Sequence, residues 1–99
     1  MCLGTDPDRN FDIKHGGVGS TNDPCYDTYH GGKAFSDAES KAIRNALNAA
    51  MENHNKKVAY VSVHSYSQLW MFPNGYTKSL STHHSDLKLV ANKAVQALK

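Results

Sequence analysis

The sequence predicts an α/β segment: a long irregular loop, a helix, two short strands and a second helix. Three observations predict it. Two stretches repeat apolar residues with a helical period, two shorter runs are rich in β-branched and aromatic residues, and residues 1–35 show neither pattern.

The loop comes first. His15-Gly16-Gly17-Val18-Gly19-Ser20-Thr21-Asn22-Asp23-Pro24 is dense in turn formers. Ser36-Asp37-Ala38-Glu39 then reads as a capping box: the serine oxygen accepts from the backbone three residues on, and Glu39 reaches back. Ala38, Ala42, Ile43, Ala46, Leu47, Ala50 and Met51 form the apolar stripe of the helix that follows, and Asn53-His54-Asn55 stops it. Residues 58–63, Val-Ala-Tyr-Val-Ser-Val, run into His64 and suit a strand buried on both faces. A second strand is expected at 68–72, ended by Pro73-Asn74-Gly75. The last helix, about 84–98, carries Leu87, Val90, Ala91, Ala94 and Leu98 on one face. Two strands do not make a stable sheet, so a strand apolar on both faces expects neighbours from a larger fold.

Length and charge narrow the function classes. Ninety-nine residues suffice for one small domain, expected to span 1–99. A net charge of +2 gives no footprint for nucleic acid or an anionic membrane surface. No apolar run approaches the ~20 residues that span a bilayer. The first residues, from Met1 to Asp6, have neither the basic end nor the apolar run of a signal peptide. Cys2 and Cys25 are spaced wrongly for a zinc finger, which leaves two buried thiols or one disulfide across the loop.

Several residues could carry chemistry, and each also has a structural explanation. His64, at the end of an apolar strand, stands where sites occur in open α/β sheets, or is a hydrogen-bonded structural histidine. His83 and Asp86 have a spacing that places two ligands on one helical face, but they also fit a solvated helix start with Asp86 near the positive end of the dipole. Asp6-Pro7-Asp8-Arg9-Asn10-Phe11 is either a turn or an anion clamp built on the planar fork of Arg9. There is no phosphate loop, nucleophile elbow or H-E-x-x-H.

Taken together, these segments resemble the zinc metallocarboxypeptidases of the A/B type. Cys2-Leu3-Gly4-Thr5-Asp6-Pro7-Asp8-Arg9-Asn10-Phe11 resembles the family stretch C-x-G-x-D-x-N-R-N-[FW]. Asn22-Asp23-Pro24-Cys25 with Thr28-Tyr29-His30-Gly31, Ala34-Phe35-Ser36-Asp37-Ala38-Glu39, His64-Ser65-Tyr66-Ser67-Gln68-Leu69 and Pro73-Asn74-Gly75-Tyr76 follow in the family's order and spacing.

The resemblance implies an internal piece of a mixed-sheet peptidase domain that hydrolyses the last peptide bond of peptides and proteins. His64 would be a Zn2+ ligand and Asp6 would orient another ligand histidine. Asp8 and Arg9 would meet the terminal carboxylate of the substrate, and Ser65 and Tyr66 would line its path. Cys2 and Cys25 would form the family disulfide, with a secreted, extracellular location. The bonds matching Ser65–Tyr66 and following Pro73 would be cis. The partners implied are peptide or protein C-termini, with no nucleic acid, no membrane and a monomeric full-length form. An H-x-x-E ligand pair and a further arginine would precede the segment, and a catalytic glutamate and a mobile tyrosine would follow it, so no catalytic residue is expected within 1–99. Gly75, a small residue in the pocket region, tilts towards apolar terminal side chains.

One departure bears on activity. Position 8 is Asp where the family has Asn, which can donate to a carboxylate; an ionised Asp cannot, and it competes for Arg9. That leaves a second class open, a non-catalytic secreted peptide-binding relative. A third, a self-contained disulfide module, predicts that the 99 residues fold cooperatively alone.

Overall fold

A buried asparagine organises the first part of the chain. The computed structural model describes residues 1–2, 4–52 and 59–98. It divides into two compact units, Met1–Tyr60 and Val61–Lys99, taken here in turn.

In the first unit a short 3-10 turn, Pro7–Arg9, precedes helix α1, Ala38–Glu52. Pro7 suits the first position of the turn, where its missing N–H is not needed and its φ is already set. The intervening loop is ordered by backbone pairing. Thr21 and Tyr29 form an isolated parallel bridge, and the Asp6 N–H donates to the Tyr29 carbonyl at 2.8 Å. The Cys2 and Cys25 sulfurs are bonded, closing this loop across a separation of 23 residues. Phe11 and Phe35 meet edge to face at 5.5 Å, and the Arg44 guanidinium lies 4.6 Å from the centre of the Phe35 ring.

The start of α1 differs from a capping box. The Ser36 hydroxyl accepts from Asn10 Nδ2, and the Asp37 N–H donates to Asn10 Oδ1. A remote residue has taken over the capping. The inward face also differs: Ser40 is buried and Ile43, Leu47 and Ala50 are half-buried, while Ala38, Ala42, Ala46 and Met51 are exposed. The expected stop at Asn53-His54-Asn55 lies outside the described residues.

The second unit holds helix α2, His84–Ala97, close to its predicted limits. Ala91 is buried and His84, Leu87 and Ala94 are half-buried on the same side, whereas Val90 and Leu98 face outward at 61% and 77% exposure. Asp86 sits in the first turn, where a carboxylate complements the helix dipole. The Phe72 and His84 rings lie 5.4 Å apart and tie the segment before α2 to its first turn. Trp70, Leu69, Val95 and Leu98, with Ser67 and Gln68, line an open groove on this unit.

Neither expected strand forms among the described residues. Among the described residues neither 59–63 nor 68–72 is a strand; Val58 lies outside them. The physical reason is that a strand exists through its partner: each N–H and C=O must be met by a neighbouring chain. Among the described residues no such neighbour is present for these segments, and Tyr60, Val61 and Val63 remain 57%, 62% and 91% exposed. The described elements are helical, and the expected mixed sheet is not confirmed among the described residues.

Candidate functional site

The residues of the anion-clamp motif are held by one short turn. Asp6 precedes it with extended backbone, and its Oδ1 accepts from the Asp8 N–H at 3.0 Å. Its other oxygen, Oδ2, lies 3.7 Å from Arg9 Nε. The Arg9 side chain is 43% exposed and that of Asp6 21%, so solvent screens the pair. What the pair supplies is position: Asp6 limits the swing of a long cation through Nε. Asp8 is exposed on the same turn.

Asn10, wholly buried, fixes the end of that turn against α1. Its Nδ2 donates to the carbonyls of His30 at 2.9 Å and Lys33 at 3.2 Å and to Ser36 Oγ at 2.8 Å. Its Oδ1 accepts from the Asp37 N–H at 3.1 Å and from Ser40 Oγ at 2.6 Å. The partners themselves define the amide orientation, because carbonyls only accept and a backbone N–H only donates. The Asn10 main chain joins in: its carbonyl accepts from the Phe35 N–H at 2.6 Å, and its N–H donates to the Pro7 carbonyl at 3.2 Å. Gly31 makes room for this hub. It has φ +78°, and a Cβ there would fall 2.5 Å from Ser36 Oγ and 2.6 Å from Asn10 Nδ2.

Two histidines brace the same loop. His15 Nε2 donates to the His30 carbonyl at 2.9 Å, and His30 Nδ1 donates to the Gly31 carbonyl at 2.7 Å. A carbonyl cannot donate, so each of these ring nitrogens carries a hydrogen. The rings stand edge to face, 4.7 Å apart.

In the second unit His64 is exposed, and its Nε2 lies 3.0 Å from Ser62 Oγ. Such a contact at one ring nitrogen is the kind that orients a metal-ligating imidazole. The Ser65–Tyr66 and Pro73–Asn74 peptide bonds are both cis, and Tyr66 is 94% exposed. His83 stands at the N-cap of α2 without a capping side-chain hydrogen bond.

The structure thus gathers Asp6, Asp8 and Arg9 on one turn and Ser65 and Tyr66 beside His64. Among the described residues no three His, Cys, Asp or Glu side chains come together as a metal-holding group. These residues alone do not constitute a catalytic zinc centre, which takes three protein ligands. Asn10, Ser40 and Gly31 were not singled out by sequence reasoning. Asn10 and Gly31 stand inside the stretches that carry the family resemblance, but with no role attached, and Asn10 beside an aromatic residue also reads as an ordinary turn.

Comparison with known proteins places these features in a family. The family model described as zinc carboxypeptidase matches residues 1–99. Carboxypeptidase A2 of Rattus norvegicus is 45% identical over 98 residues, covering 99% of this chain and 22% of the relative. Zinc carboxypeptidase A 1 of Anopheles gambiae is 43% identical over 99 residues, covering 99% of this chain and 22% of that protein. A solved structure of bovine thrombin-activatable fibrinolysis inhibitor, in complex with a tick carboxypeptidase inhibitor, is similar with a TM-score of 0.87 and 39% identity, over 98% of this chain and 32% of that one. The chain belongs to the zinc carboxypeptidase family. It spans about a fifth of the length of the curated relatives it matches.

Proposed function

We propose that this chain is the part of a zinc-dependent carboxypeptidase that grips the carboxylate end of a peptide and supplies one imidazole to the metal. The observation that carries it is the Asp6–Arg9 turn, with an exposed guanidinium aimed by a neighbouring carboxylate and anchored through Asn10. Arg9 binds the terminal carboxylate, Ser65 and Tyr66 border the path of the substrate, and Asp6 orients another ligand histidine, one that belongs to another part of the intact protein. His64 is the zinc donor, with Ser62 holding its ring. Zinc would polarise the scissile carbonyl, and its remaining ligands and the proton-transferring glutamate belong to other parts of the intact protein. The Cys2–Cys25 disulfide supports an oxidising, extracellular setting, with peptide and protein C-termini as partners.

Zinc content tests the His64 assignment. The intact protein should retain zinc through dialysis, and His64→Ala should weaken retention by more than the ~10–100-fold that loss of an outer-shell partner costs. Equal zinc content in the two proteins would remove His64 from the metal.

Asp8 favours a second reading, a secreted relative that binds peptides without cleaving them efficiently. Its carboxylate shares the turn with Arg9 and opposes an incoming carboxylate. Asp8→Asn should lower KM for a free-acid peptide by roughly fivefold, a modest gain because the site is open to solvent. An unchanged KM would show that Asp8 does not meet the substrate end.

A further inference from the structure

Asn74 is the only asparagine in the sequence followed by glycine. We propose that Asn74–Gly75 is a site of spontaneous covalent modification, which turns the side chain at 74 into a carboxylate and releases the turn it closes. The step uses only this chain and water. The Gly75 backbone nitrogen attacks Asn74 Cγ, and a new C–N bond forms as the Cγ–Nδ2 bond breaks. Nδ2 departs as ammonia, taking up the hydrogen lost from the Gly75 nitrogen. Water then opens the five-membered imide at either carbonyl, giving aspartate or its β-linked isomer, with no oxidant or reductant involved.

Three features place the reaction here. Gly75 lacks a Cβ, and apart from its chain neighbours nothing lies within 4 Å of where one would be, so neither a side chain at 75 nor a remote group crowds the Asn74–Gly75 bond. Gly75 is exposed, and among the described residues no hydrogen bond holds its N–H, which must lose its proton before attack. The restraint is a single exposed hydrogen bond from Asn74 Nδ2 to the Ser79 carbonyl, 3.1 Å long. Such a bond slows the reaction without preventing it.

That bond also gives the reaction a structural consequence. The product has no N–H to offer, and its carboxylate faces the Ser79 carbonyl, acceptor against acceptor. The contact closing residues 74–79 is lost, while the local bond from the Ser79 N–H to Thr77 Oγ1, 3.2 Å, is untouched.

The test is to hold the intact protein at mildly alkaline pH and map its peptides by mass spectrometry. Position 74 should gain about 1 Da, as a mixture of aspartyl and β-linked forms, ahead of every other asparagine. The rate should rise with hydroxide concentration, a readout that needs no variant, and Gly75→Ala should slow it by about tenfold or more. An unmodified Asn74 after other asparagines have converted, a rate indifferent to pH, or equal rates in wild type and Gly75→Ala would each overturn the proposal.

Discussion

Replacing Asn10 with alanine will lower the stability of the intact protein by about 3–5 kcal/mol, the largest effect expected of any single substitution in the first unit. The side chain is wholly buried and engages five partners. Removing it leaves the Asp37 N–H and the Ser36 hydroxyl without their partner in a space that alanine does not fill, while the His30 and Lys33 carbonyls keep the bonds from His15 and the Ser36 N–H, and Ser40 keeps the Asp37 carbonyl. A buried polar group without a partner costs about 1–3 kcal/mol, and water entering the gap recovers part of the total. Since whole domains are stable by only ~5–15 kcal/mol, soluble yield should fall as well. Asn10→Asp should be no rescue, because a carboxylate cannot donate to the His30 and Lys33 carbonyls. Urea unfolding reads the effect; an unchanged midpoint in Asn10→Ala would mean that the hub is not what holds the turn to α1.

The second large effect concerns Arg9. Arg9→Gln should reduce kcat/KM for free-acid peptides by ~30–150-fold, the equivalent of the ~2–3 kcal/mol that a charge-assisted hydrogen bond contributes. Glutamine keeps a donor and much of the length but loses both the charge and the bidentate fork. The loss should be small for a peptide amidated at its C-terminus, because that substrate offers no anion to grip. Equal losses on acid and amide would mean that Arg9 supports the fold and does not bind substrate. Stability serves as the control: the Asp6–Arg9 pair is exposed enough that its removal should shift unfolding little.

The helices were the most legible part of the fold. Leu87, Ala91 and Ala94 repeat with the helical period, and that information is local to about fifteen residues. The strands were not legible in the same sense: residues 59–63 have the composition of a buried strand, but a ladder belongs to a pair of chains, and its partner is not among the described residues. For the site, the resemblance named Asp6, Arg9 and His64, and short-range chemistry explains why Asp6 and Arg9 share a turn. The role of Asn10 escaped notice for a physical reason. Its partners lie 20 to 30 residues away, so no local pattern distinguishes this hub from a turn asparagine. The capping of α1 shows the same effect: Ser36 and Glu39 fit a local box, yet a remote amide holds Ser36 and Asp37.

The assignment of this turn to the gripping of peptide ends is tested most directly by the products that the intact protein makes from one peptide. Mass spectrometry of a timed digest should show residues lost singly and in order from the free C-terminus, with the amidated form of the same peptide largely spared. Cleavage at internal bonds, or equal trimming of acid and amide, would contradict the account.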